Sequence, residues 1–167
     1  MQTIALAMIC RGTGRDPENL DRALKSIAPF VDGIYITLTG PREELAEAEG
    51  VCKEYNAVVS YGDFLLTLEE GTVKWLKEYF GYEPHMKTGD TIFLFNEARN
   101  FNFAQVPKEY DWILWMDSDD MFLRGRNLKK VIERGVREGI EAFYFNYIYL
   151  AEIDEKGNIK HIIIEHL

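Results

Sequence analysis

The 167-residue chain has only two cysteines, Cys10 and Cys52, and their separation matches no zinc-type pair. That excludes a disulfide framework and a cysteine-built metal centre. The expectation is two reduced, buried thiols in a cytoplasmic protein. Long apolar runs are missing too. The stretch from Ile4 to Cys10 falls far short of the roughly 20 residues that a membrane-crossing helix needs. No basic N-terminal segment leads into an apolar core and a small-residue cleavage site, so no signal peptide is expected. Positive charge is in deficit: 19 Lys and Arg stand against 28 Asp and Glu, for a formal charge of −9. Such a surface repels nucleic acid, because backbone-phosphate binding needs an excess of Lys and Arg. A small anionic ligand stays possible if a local cation or basic pocket offsets the repulsion. Repeats and low-complexity tracts are absent, and His85, His161 and His166 show no metal-type spacing.

What is present is an ordinary globular composition, 47% apolar and 28% charged, in a length suited to one domain over residues 1–167. Thr3 to Ile9 is a nearly continuous apolar run, the pattern of a strand buried on both faces. After a loop, Asp16 and Pro17 open a helix, Asp16 as N-cap and Pro17 at the first helical position, with Leu20, Ala23, Leu24 and Ile27 on its apolar face. Gly33 to Leu38 reads as a second strand, Pro41 to about Lys53 as a helix, and Ala57 to Tyr61 as a third strand. This alternation predicts an α/β fold with a mostly parallel sheet, and ligands at the carboxyl ends of its strands. From Leu65 to Phe93 the pattern loosens around an aromatic helix (Val73, Trp75, Leu76, Tyr79, Phe80), so residues 65–93 are expected to form an insertion or lid. A helix over Phe95 to Ala104, a strand over Trp112 to Met116 and a helix over Asn127 to Glu138 follow. Ala142 to Tyr149 and Asn158 to Ile164 read as a hairpin turning at Asp154 to Gly157. The sequence stops directly after a strand-like run, and the chain is expected to be a fragment of a longer enzyme.

Chemistry concentrates at the end of the Trp112 to Met116 strand, where Asp117, Asp119 and Asp120 place three carboxylates within four residues. Carboxylates so close repel one another unless a cation sits among them. Oxygen ligands of this kind suit Mg²⁺ or Mn²⁺, which keeps waters and binds substrate phosphate as well. The competing reading is an acidic turn that caps the next element. Just upstream, Asn96, Arg99, Asn100 and Phe103 share a helix face, and an arginine among amides binds phosphate or carboxylate in a fork. A solvated face is the competing reading there. Asp63 ends the third strand, either as a turn former or as an acceptor for a nucleobase imide N–H. Arg11 and Arg15 flank the loop after the first strand, within reach of phosphate. Gly12 and Gly14 lack the third glycine of a dinucleotide fingerprint.

As a set, these pieces resemble the family 2 glycosyltransferases of the GT-A fold. The likeness runs from the first strand through Asp32-Gly33-Ile34-Tyr35-Ile36, Thr39-Gly40, Asp63-Phe64 and Ala98-Arg99-Asn100 to the Asp117-Ser118-Asp119 motif, covering nearly the whole chain. The resemblance implies a Rossmann-like nucleotide-binding half, with Asp117 and Asp119 on ribose and on a Mn²⁺ or Mg²⁺ held at the donor's diphosphate. It implies a role for Asp63 at the base, and for Arg99 and Asn100 in the same pocket. The implied partners are a nucleoside-diphosphate sugar and an acceptor (glycan, lipid or protein), with sugar transferred by inversion. Two positions depart from the pattern: Leu38 stands where family members often carry a base-reading Asp, and Arg11-Gly12-Thr13 stands where Asn-Glu is common. The family's general base lies downstream of the aspartates and matches no residue here, so the catalytic residue is left open. A metal-dependent nucleotidyltransferase and a non-catalytic nucleotide- or sugar-binding module are the rival readings.

Overall fold

The computed structural model describes residues 2–80, 85–145, 147–153 and 159–166. They divide into two compact units between Lys130 and Val131. In the first unit, strands and helices alternate as β1 (Ile4–Cys10), α1 (Asp16–Ile27), β2 (Gly33–Leu38), α2 (Ala46–Glu54) and β3 (Val58–Tyr61). Then β4 (Leu65–Thr67) and β5 (Thr91–Phe93) pair antiparallel on either side of α3 (Glu70–Phe80), and α4 (Phe95–Ala104) leads into β6 (Trp112–Trp115). The main sheet is parallel throughout, in the order β3-β2-β1-β6.

β1 is central. Ile4 through Met8 are at most 1% exposed, which is why the run carries no polar alternation. Its two faces do different work. Ala5 and Ala7, with Tyr35 of β2, pack against Val106, Phe103 and Tyr110 at the end of α4. Alanines here let that helix lie close to β1 and β2. On the other face Leu38, Leu45 and Ala48 close around Gly12, so α2 lies on the side opposite α4 and packs beside α1. This division follows from handedness. The chain steps from β1 to β2 to β3 in one direction and then crosses back beyond β1 to reach β6, so right-handed connections put α4 on the opposite face from α1 and α2. Among the described residues, no helix is long and apolar enough to cross a membrane.

The second unit contains the end of α5 (Leu128–Arg137) and an antiparallel pair, β7 (Tyr147–Ile153) with β8 (Ile159–His166). The expected turn at Asp154 to Gly157 lies outside the described residues.

Four local expectations change. Arg15, not Asp16, occupies the N-cap of α1, and Asp16 is its first helical residue, its N–H donated to the Thr13 carbonyl. Pro41 holds ψ at 132°, an extended value, so the acidic stretch forms only a 3-10 turn at Arg42–Glu44 before α2 begins at Ala46. The loosely patterned segment from Leu65 to Phe93 contains a strand pair around its helix. Residues 142–145 are not a strand: pairing with β8 starts at Tyr147, and Tyr144 is 98% exposed. Without a partner ladder, an apolar run has no backbone hydrogen bonds to make it a strand.

Gly40 fits because it has no side chain: a Cβ there would collide with the Arg11 carbonyl and crowd Thr13 and Leu45. Gly50, inside α2, meets nothing within 4 Å. In urea denaturation, Gly40→Ala is expected to destabilise the protein by about 1–3 kcal/mol, and Gly50→Ala to stabilise it by about 0.5–1 kcal/mol. Equal effects from the two would contradict the packing described.

Candidate functional site

The chain reverses its direction of stepping at β1, with β2 and β3 on one side and β6 on the other. In an open parallel sheet, the loops that leave two strands at such a reversal diverge to opposite faces, and ligands lodge outside the carboxyl ends there. The segments at this place are Cys10 to Thr13 after β1 and Met116 to Asp120 after β6. They adjoin one another. Burial raises the pKa of the Cys10 thiol, opposed by hydrogen bonding to Ser118 and the Gly12 backbone and aided by the charges of Asp16 and Asp119. Ser118 and Asp119 therefore lie beside the tip of β1. The Asp120 N–H bonds the Asp117 carbonyl at 3.1 Å and turns the chain just after β6.

The cation beside Asp117 is supplied by the protein. Arg99 Nη2 donates to Asp117 Oδ1 at 3.1 Å. The Arg99 guanidinium carbon lies 3.5 Å from the ring centroid of Trp115 and 4.4 Å from that of Phe95. The Arg99 side chain is 15% exposed and that of Asp117 is 48% exposed. Burial lowers the Arg99 pKa and the Asp117 charge opposes the shift; a guanidinium stays protonated in either case. Two aromatic faces restrain the plane of the guanidinium and add cation–π attraction, so this pair is better ordered than an exposed ion pair.

A buried network sets the seat of α4. Asn102 Nδ2 donates to the Tyr35 carbonyl at 3.2 Å and to Thr37 Oγ1 at 2.9 Å. Thr37 Oγ1 in turn shares a 2.8 Å hydrogen bond with Ser60 Oγ. Asn102 is one helical turn from Arg99, so the contacts that fix Asn102 on β2 also fix the direction of Arg99.

Of the residues expected at the site, Arg99 and Asp117 meet directly. Asp119 is exposed at the same strand tip. Asp63 Oδ1 accepts the Leu65 N–H at 3.1 Å, the turn-forming role of an aspartate. It follows β3, three strand positions from β6, about 14 Å at the usual strand spacing, so one ligand touching both must stretch along the sheet edge. Arg11 Nε donates to Thr13 Oγ1 at 2.9 Å and lies 3.7 Å from Asp16, so it braces its own loop. Asn100 stands exposed on α4. Sequence reading missed Phe95 and Trp115. Their signal was present: Phe95 precedes Arg99 by four residues on a helix, and Trp115 precedes Asp117 by two at a strand end, so each shares a side with its neighbour. The contact of Cys10 with Ser118 had no local signal, because it depends on β1 and β6 being neighbours.

Two carboxylates at one strand tip, with water and phosphate completing the shell, are how a substrate-shared Mg²⁺ or Mn²⁺ is held. Among the described residues, no group of three or more His, Cys, Asp or Glu side chains gathers to hold an ion. Carboxylate oxygens such as those of Asp117 and Asp119 have the donor chemistry of a metal site completed by water and phosphate. Comparison of the chain with protein-family models, with curated proteins and with solved structures gives no match in any of the three. Fold and site define an α/β protein whose parallel sheet carries an arginine-braced acidic tip at its switch point.

Replacing Asn102 by Leu removes two buried hydrogen bonds, to the Tyr35 carbonyl and to Thr37, and leaves the Thr37 hydroxyl its bond to Ser60 alone. It should lower unfolding stability by about 2 kcal/mol. A neutral result in urea denaturation would show that α4 is not seated by this network.

Proposed function

We propose that this chain is the donor-binding domain of a glycosyltransferase of the family 2, GT-A type. It takes a nucleoside-diphosphate sugar through Mn²⁺ or Mg²⁺ and passes the sugar, with inversion, to a glycan, lipid or protein acceptor in the cytoplasm. The observation that supports this most is the coincidence of the Asp117-Ser118-Asp119 motif with the point between β1 and β6 where the strand order reverses. An acidic turn can occur at any strand end; a ligand site in a parallel sheet is expected at this one.

Asp119 and Asp117 would hold the metal, which when bound neutralises charge on the departing diphosphate. The protein's own groups have separate tasks. Asp119, exposed, offers its carboxylate outward. Asp117 divides its carboxylate between Arg99 and the ligand side. Arg99, held near two rings, carries a fork suited to phosphate oxygens. Asp63 lies farther along the edge, where a base would reach, and Asn100 and Arg11 are assigned to the same pocket on the strength of the resemblance and of their sequence positions. Deprotonation of the acceptor hydroxyl needs a carboxylate on the acceptor side, and none of the residues described above is assigned to it. A nucleotidyltransferase would bind phosphate with the loop after β1. There Arg11, one of the two arginines that flank the loop, is turned onto Thr13 and Asp16, which counts against that reading.

Calorimetry with a panel of nucleoside diphosphates tests the proposal. At least one should bind about tenfold more tightly with Mn²⁺ than without. Asp119→Ala should lose that gain while melting at the same temperature as the parent. A mutant that binds as well as the parent would remove the metal site, and a panel with no binder would remove the donor site.

A further inference from the structure

We propose that Arg99 is a built-in placeholder for the metal: it holds the Asp117 carboxylate until a diphosphate arrives, so that divalent cation and diphosphate enter only together. This inference rests on the donor-site reading above and adds an order of events and the residue that imposes it.

Three observations carry it. First, one Asp117 oxygen is already hydrogen-bonded to a permanent cation, 3.1 Å away. Second, that cation is not free to withdraw into solvent. Its side chain is 15% exposed, it lies against the Trp115 and Phe95 rings, and α4 is pinned one turn away by Asn102. Third, only one of the five guanidinium N–H donors bonds Asp117, and no buried polar side-chain atom among the described residues lacks a partner. The exposed part of the Arg99 side chain, 15% of its surface, is where an incoming anion would meet it.

Counting formal charges, Asp117, Asp119, Asp120 and Arg99 sum to −2. A divalent ion alone must compete for Asp117 with a fixed guanidinium that cannot lose its proton. A diphosphate alone, at −2 in a nucleotide sugar, would bring the sum to −4 against three carboxylates. The two together restore −2. Each ligand relieves the obstacle to the other, which is positive coupling between two ligands at one site. As the diphosphate oxygens take over the Arg99 donors, Asp117 is released to the cation. Arg99 is in this sense a positioning residue: it acts on the metal through Asp117.

The test compares the parent with Arg99→Gln and Arg99→Lys. Free Mn²⁺ is followed by electron paramagnetic resonance, with Mn²⁺ alone and with Mn²⁺ plus the nucleoside diphosphate that binds best in the panel. For Mn²⁺ alone, Arg99→Gln should bind about tenfold more tightly than the parent. With the diphosphate present it should bind more weakly, so the coupling collapses. Arg99→Lys keeps the charge without the fork. It should keep Mn²⁺ out when the ion is alone and bind the pair less well than the parent. A tighter ion site on losing Arg99 is a gain that a damaged fold would not give, and the Lys variant guards against loss of structure. If Mn²⁺ alone binds the parent and Arg99→Gln equally, the placeholder is refuted while Mn²⁺-dependent nucleotide binding still upholds the donor site. If no nucleoside diphosphate binds the parent with Mn²⁺, the donor-site reading fails and this inference falls with it.

Discussion

The pairing that sets Trp112 to Trp115 alongside Ile4 to Ala7 is the constraint from which the rest of the site follows. The chain has already placed β2 and β3 on one side of β1, so β6 can join a parallel sheet next to β1 only on the other side, and α4 must cross the opposite face to deliver it. That one choice puts the loops after β1 and β6 side by side, brings Ser118 to Cys10, and swings Arg99 over Trp115 towards Asp117. The alanines at positions 5 and 7 and the buried Asn102 network are the local means by which α4 is held in that crossing.

Electrostatics at the tip then balance two demands. A protein with a formal charge of −9 has little attraction for anions in general, so any anionic ligand needs a local source of positive charge. Arg99 is that source: its guanidinium is permanently charged, and the ion pair with Asp117 and two ring faces hold it in a half-dry place. The same pair means that Asp117 is not an idle carboxylate awaiting a metal. An acidic tip that would repel itself is quieted in advance by the chain's own arginine; on the proposed reading, a metal with its phosphate would replace this arrangement with another of the same net charge.

Much of this was readable from residues alone. The unbroken apolar run of β1 declared a strand buried on both faces, and the alternation after it fixed the parallel class, because local periodicity and burial are set within a few residues. The acidic tip was legible for the same reason: Asp117 and Asp119 follow an apolar strand directly. Local chemistry misled where two propensities competed. Pro41 suggested a helix start, yet its extended ψ leaves the helix to begin at Ala46. Ala142 to Tyr149 had strand composition over its whole length, but strand structure is granted by a partner and begins at Tyr147. What periodicity could not reveal was the meeting of Arg99 with Asp117, since α4 and β6 find each other through the crossing over β1 and not through sequence spacing. The aromatic neighbours of Arg99 sit at helical and strand intervals that could have been read, had the arginine been treated as needing a seat.

A crystal grown with Mn²⁺ and a nucleoside diphosphate, measured at a wavelength where manganese scatters anomalously, tests the central claim most directly. The expected map has one anomalous peak about 2.1 Å from a carboxylate oxygen of Asp119 or Asp117, with diphosphate oxygens on its far side and Arg99 turned onto the phosphate. A nucleotide bound elsewhere on the protein, or bound at this edge with no peak at the two aspartates, would contradict it.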